Sequence, residues 1–142
     1  MRRLVYLFIL TAGLITALAY LHDPPWLAGM ESGFREWEID ADGTRYRWIG
    51  GHASFFVPAS AKAIVIPTRV AFDDPDEPPI AISIAIDDRA ADEFVVRNDQ
   101  WRARELRLPA PGRRALRRID VRVDRLRQGQ RGAQIGEVVV VR

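Results

Sequence analysis

The sequence predicts an all-β protein: an antiparallel β-sandwich, jelly-roll-like, preceded by one N-terminal transmembrane or signal helix. Three observations carry this. Beyond residue 27 the apolar side chains alternate with period two, as in Ile80, Ile82, Ile84 and Ile86, and no helical period appears. Turn residues interrupt the chain every eight to twelve positions or so, which divides it into about seven to nine short strands. The 142 residues are 48% hydrophobic and 28% charged, a balance that fits one globular domain and argues against wholesale disorder.

The chain opens with Met1-Arg2-Arg3 and then eighteen uncharged residues, Leu4 to Leu21. A bilayer-spanning helix needs roughly 20 predominantly apolar residues, so this run sits at the lower edge. The two arginines before it place the N-terminus in the cytoplasm by the positive-inside rule, and everything from Asp23 onward outside. A cleaved signal peptide is the rival reading, because Ala17-Leu18-Ala19 has the small-x-small pattern. Residues 1–22 are therefore an anchor or signal segment. Residues 23–32 form a linker stiffened by Pro24-Pro25, with Trp26 and Leu27 near the headgroups. Residues 33–142 are the β-sandwich domain.

Phe34 to Gly50 reads FREWEIDADGTRYRWIG, in which Asp42-Gly43 is a strong hairpin signal. A two-residue turn there sets Trp37 opposite Trp48 and Ile39 opposite Tyr46, with Glu38 facing Arg47 and Asp40 facing Arg45. The aromatics then share an inward face, and Glu36 alone is left opposite an apolar residue, Ile49. Gly50-Gly51 breaks the chain. His52 to Val57 begins a short strand stopped by Pro58, and Lys62 to Phe72 carries Pro67 as a bulge, break or edge position. Asp73 to Pro79 is an acidic turn. Ile80 to Ile86 is a strand whose isoleucines fill the core, while Ala81, Ser83 and Ala85 lie under another layer or line a shallow groove. Asp87-Asp88 turns the chain into a strand at Phe94 to Val96. Trp101 to Leu108 is a further strand. From Ala115 to Leu126, Ile119, Val121 and Val123 point inward and Asp120, Arg122 and Asp124 outward. After a polar loop at Gln128 to Gly132, Gln134 to Val141 forms the last strand.

Charge is segregated. Asp73 to Asp99 holds nine acidic residues and two arginines, while Arg102 to Arg131 holds eleven arginines and three acidic residues. Because both blocks alternate like strands, neighbouring strands that neutralise one another are the favoured reading over a charged partner. Outside the membrane nucleic acid is not expected, and phosphate-bearing lipids or glycans are the anions that arginine forks would meet.

Little in the chain carries reaction chemistry. With no cysteine, disulfides, thiolate metal sites and cysteine nucleophiles are excluded. The two histidines, His22 and His52, lack the spacing of a zinc site. Asp73, Asp74, Asp76 and Glu77 offer oxygen ligands but not the spacing of a calcium loop. Glu36, Glu38 and Asp40 share a strand face as glycosidase carboxylates might, yet arginines face two of them, and a paired carboxylate holds a low pKa where a general acid needs a raised one. No catalytic residue, metal or cofactor is assigned. The positions singled out for ligand binding are Glu36, His52 and Trp101, the last expected to be the most exposed of Trp37, Trp48 and Trp101.

Glu36-Trp37-Glu38, Arg47-Trp48, the isoleucine strand ending in Asp87-Asp88, Trp101, Leu106-Arg107-Leu108-Pro109 and Gly132-Ala133-Gln134-Ile135-Gly136 occur in an order that resembles the extracytoplasmic C-terminal β-sandwich of bacterial multi-pass membrane glycosyltransferases using lipid-linked sugars. The resemblance covers roughly residues 33–142. The catalytic membrane helices of such enzymes are missing, Asp88 stands where a turn glycine is frequent, and the acidic-basic pair before the final Ile-Gly is reduced to Arg131-Gly132. It implies an accessory module and transfers no catalytic residue. The expected function is a non-catalytic, membrane-anchored extracytoplasmic module that binds envelope glycan or supports a membrane glycosyltransferase. The alternatives are a structural or protein-interaction module of the envelope and, third, a cell-wall glycan-active enzyme using Glu36 or Glu38.

Overall fold

The computed structural model describes residues 2–70, 78–126 and 132–142. The acidic turn residues Asp73, Asp74, Asp76 and Glu77, and Arg131 with most of its loop, lie outside the described residues. Helix α1 runs Arg2–His22 and is long and apolar enough to cross a membrane or to serve as a signal sequence, with none of that run buried against the rest of the chain. A short 3-10 turn, Pro25–Gly29, follows it.

Among the described residues nine strands follow: β1 Glu31–Ile39, β2 Arg45–Pro58, β3 Ala63–Arg69, β4 Ile80–Ile86, β5 Arg89–Val96, β6 Arg102–Arg107, β7 Leu116–Val123, β8 Gln134–Gly136 and β9 Val139–Val141. They form one antiparallel sheet in the order β5-β4-β7-β2-β8-β3-β6, with β1 on β2 and β9 on β3. The sheet curls on itself, because β2 serves two layers. Its first half, Tyr46 to Trp48, pairs with β8, and its second half, His52 to Pro58, pairs with β7. Alternate residues of the two layers then meet in one core: Ala53, Phe55 and Val57 of β2, the isoleucines of β4, and Ile119 and Val121 of β7 pack with Ile64, Ile66, Leu106 and Ile135.

Gly50-Gly51 does not end the strand, as its composition suggested. β2 runs through it and changes partner there. The two residues without a Cβ let the strand bend there. Its core-facing positions stay odd, Ile49 before the change and Ala53, Phe55 and Val57 after it, while Tyr46 and Trp48 are buried on the opposite face. β1 bends in step through Gly33, whose φ is +75° and whose absent Cβ would lie 2.0 Å from the His52 carbonyl oxygen.

The β1–β2 register differs by one residue from that of a two-residue turn. Trp37 pairs with Arg47, Glu38 with Tyr46 and Ile39 with Arg45. The loop is Ala41-Asp42-Gly43: the Gly43 N–H donates to the Asp40 carbonyl at 3.0 Å, and the Asp40 N–H to the Thr44 carbonyl at 2.9 Å. Gly43 alone is left-handed, at φ +87°, whereas the tight two-residue turn needs positive φ at Asp42 as well. The Asp42 carboxylate instead accepts the Thr44 N–H at 2.9 Å and fixes the longer loop. Since side chains alternate, one residue of slip moves Trp37 to the face opposite Trp48.

Elsewhere the expectations and the structure differ in smaller ways. Asp87 and Asp88, at φ 50° and 67°, make a two-residue turn between Ile86 and Arg89, so β5 begins at Arg89 and not near Phe94. The last strand is two: β8 pairs with β2 and β3, and β9 with β3 alone. Pro67 sits between the β9-paired and β8-paired parts of β3, where no ladder needs its missing N–H. Asp120 points out of the core yet is buried, with His52 and Arg118 against its carboxylate. Among the described residues three ion pairs join the two charge blocks: Asp92 with Arg104, Asp87 with Arg117, and Asp88 with Arg118.

Candidate functional site

A cleft of about 250 Å³ opens along the edge of the sandwich between β1 and the β8–β9 segment. Its floor is apolar, from Phe34, Phe55, Val57, Ile135 and Val138, and its mouth carries Trp37, Arg47, Glu31 and Glu137. The register explains this set. Trp37 stands opposite Arg47, which is in turn opposite Ile135, so the three side chains share one face of the sheet. Arg47 lies between two rings, its guanidinium carbon 4.1 Å from the Phe34 centroid and 4.3 Å from that of Trp37. Arg45 lies 4.8 Å from the Trp37 ring. Cations attract the negative faces of aromatic rings, so the ladder Phe34–Arg47–Trp37–Arg45 fixes the indole while leaving it 41% exposed.

Glu31 closes the set. Arg47 donates to both of its carboxylate oxygens, one bond measuring 3.0 Å. These hydrogen bonds, against partial desolvation, hold the Glu31 carboxyl below the usual carboxylate range. The cleft thus offers one aromatic ring and one arginine paired with an ionised carboxylate above an apolar floor, with Arg45 against the indole outside the lining, a concave surface with a few convergent polar groups.

The three residues singled out from the sequence lie on separate surfaces. Glu36 is exposed in the irregular part of β1 between paired Phe34 and Trp37, and forms no ion pair with a described residue. His52 lies on the outer face of the other layer, where its Nε2 is 2.8 Å from Asp120 Oδ1 and Arg118 Nε is 2.8 Å from Asp120 Oδ2. Burial would raise the Asp120 carboxyl, but the hydrogen bonds from His52 and Arg118 outweigh it and hold the group below its ordinary value. Beside this network a shallow groove of about 500 Å³ runs over Ser83, Ala85, Ala90 and Ala91, the small-residue face of β4 and its neighbour. Trp101 is half-buried. Its ring centre is 6.1 Å from that of Tyr46, and the Arg69 guanidinium lies 4.5 Å above it while pairing with Asp40 at 2.6 Å. Trp37, rather than Trp101, is therefore the most exposed of the three tryptophans considered.

The carboxylates first compared with a glycosidase pair have other partners. The Tyr46 hydroxyl donates to Glu38 at 2.9 Å, and Asp40 holds Arg69. The residues that sequence reasoning passed over are Glu31, assigned to the linker, Trp37, assigned to the core beside Trp48, and Arg47, assigned to a charge ladder with Glu38 on the other face. The available signal was the pair of aspartates in Asp40-Ala41-Asp42-Gly43, since an aspartate in mid-loop can cap a three-residue turn, accepting the N–H two residues on, as readily as start a two-residue one.

No protein-family model matches the chain, and no curated protein matches it. Solved structures do. The EclA C-terminal domain, a sugar-binding protein, aligns with a TM-score of 0.53 at 14% identity over 82% of this chain and 89% of that one. A family two carbohydrate esterase from Clostridium thermocellum, in complex with cellohexaose, aligns with a TM-score of 0.51 at 8% identity over 78% of this chain and 30% of that one. This chain therefore spans under a third of the esterase's length. The C-terminal CBM6 of LamC from Zobellia galactanivorans aligns at 0.47 with 11% identity, over 80% and 91% of the two chains. At such identities the likeness is one of fold: the chain is an antiparallel β-sandwich of the kind found in sugar-binding domains.

Proposed function

We propose that the chain is a non-catalytic, membrane-anchored extracytoplasmic module that binds an envelope glycan in the edge cleft. One observation carries the reading: an exposed indole, Trp37, is fixed beside two arginines and an ionised glutamate at the mouth of an apolar cleft. The apolar C–H faces of a sugar ring pack on aromatic rings, and its hydroxyls need directional charged partners, which Arg47 and Glu31 supply. Arg45 and Arg47 together favour a saccharide that carries carboxylate or phosphate. The β-sandwich likeness to a sugar-binding domain adds support. The anchor reading rests on the apolar α1, and the outside location on the arginines that precede it.

The test is retention of the full chain, in nanodiscs, on immobilised envelope polysaccharides and on a glycan array. Retention that falls about tenfold in Trp37→Ala, with the fold intact, is the expected result. Absence of binding to every envelope glycan would sink the proposal. A role beside a membrane glycosyltransferase rests on the order of sequence landmarks alone, and co-purification with such an enzyme is its test.

A second reading, a protein-interaction module, draws on Ile39, whose side chain is 69% exposed next to Trp37 on the edge strand β1. Capture of an envelope protein that Ile39→Ser abolishes, with glycan retention absent, would favour it.

A further inference from the structure

The loop between β6 and β7 is tied to the end of the apolar helix. The Ala115 N–H donates to the Asp23 carboxylate at 3.1 Å, and the Ala115 carbonyl accepts the Ala59 N–H at 2.8 Å. Asp23 is one residue past the end of α1, so this loop is held where that helix leaves the bilayer in the anchored reading. Tyr20 and Trp26 stack edge to face at 4.9 Å across the same junction, the arrangement of interfacial aromatics.

Arg113 and Arg114 immediately precede Ala115. With successive Cα atoms about 3.8 Å apart, both backbone positions fall within roughly 8 Å of that hydrogen-bonded residue. They line a pocket of about 360 Å³ with Arg117, Arg118, Asp87 and Asp88. The acidic residues there are already matched, Asp87 by Arg117 and Asp88 by Arg118. Arg113 and Arg114 are exposed and form no ion pair with a described residue, which leaves the pocket with two free guanidiniums. Lys62, the only lysine, is exposed near the same end: its carbonyl accepts the Leu108 N–H at 2.8 Å.

We infer that this pocket docks the phosphate headgroup of an anionic phospholipid in the membrane that α1 occupies, through Arg113 and Arg114. Guanidinium forks match phosphate oxygens two at a time, and basic residues at the surface of an anionic leaflet gain attraction that decays within a Debye length. The pocket shares only Phe56 with the lining of the glycan cleft, and the contact sets how the sandwich stands on the membrane.

The chain has no cysteine, so Gly112→Cys gives one thiol, at a position where a Cβ meets nothing within 4 Å. The full chain, labelled there with a fluorophore, is reconstituted in nanodiscs that contain a headgroup-quencher lipid. In discs with about 30% phosphatidylglycerol, quenching should be several-fold stronger than in phosphatidylcholine alone, and roughly 0.5 M salt should remove the difference. Arg113→Gln and Arg114→Gln should each weaken the quenched state about fivefold. Equal quenching in neutral and anionic discs, or no response to the double glutamine variant, would overturn the inference. An unchanged unfolding midpoint shows that the variant folds. Glycan retention by the same double variant should be unaltered, so a failure here is separate from a failure of the cleft.

Discussion

Trp37 faces Arg47 across the β1–β2 ladder, with the guanidinium carbon 4.3 Å from the indole centroid. That pairing puts the ring at the mouth of the edge cleft and sends Tyr46 and Trp48 to the opposite face, where they are buried. The two tryptophans should therefore respond differently to truncation. Trp48→Ala removes a side chain that is 5% exposed and should cost about 3–5 kcal/mol in urea unfolding. Trp37→Ala loses only an exposed ring and its cation contacts, about 1 kcal/mol. Equal costs for the two would contradict the register.

Asp120 governs the acid side of the stability curve. Its carboxyl titrates below the unfolded value, near 3.9, so its stabilising effect is complete above that value. It is lost as pH falls through the lower folded value. Glu31, lowered first of all by its hydrogen bonds from Arg47, acts in the same direction. Unfolding free energy should thus decline as pH drops below about 4. Asp120→Asn should flatten that decline and cost about 1–3 kcal/mol at neutral pH, because His52 and Arg118 lose a charged acceptor. An unchanged slope in the variant would rule out this role.

The corner of the fold should be intolerant at one glycine and forgiving at another. Gly33→Ala combines a left-handed backbone with a Cβ 2.0 Å from the His52 carbonyl oxygen, and should cost roughly 2–5 kcal/mol. Gly43→Ala meets open space at a similar φ and should cost about 1–2 kcal/mol. Thermal unfolding of the two variants side by side measures the difference.

The turn at Asp87-Asp88 separates strain from anchoring. Asp88→Gly relieves the left-handed backbone but loses an exposed pair with Arg118, a net gain of up to about 1 kcal/mol. Asp87→Ala should instead cost about 1.5–3 kcal/mol. The Asp87 carboxylate accepts from the Arg117 guanidinium at 2.7 Å and from the Arg118 N–H at 3.0 Å, fastening the turn to β7. A stabilising Asp87→Ala would refute this assignment.

Much of the fold was legible because it rests on local rules. The isoleucines of β4 declare their face by alternation, Asp87-Asp88 declares a turn by composition, and Leu4 to Leu21 declares an apolar helix by length. The site was less so. Glu31 reaches the cleft only because β1 begins within the stretch that Pro24-Pro25 marked as linker, and Asp120 is buried only because His52 and Arg118 converge on it from neighbouring positions. Such convergences are set by strands distant in sequence, and no local period reports them.

By itself the sequence determined the period-two strands, the antiparallel sandwich and the apolar N-terminal helix. Tertiary structure alone decided the β1–β2 register, and with it whether Trp37 is core or surface. The physical reason lies in three residues: Asp-Gly suits a two-residue and a three-residue loop alike, and the Asp42 carboxylate, capping Thr44, tips the choice to the longer one. One residue of slip then reverses the faces of the β1 side chains relative to those of β2.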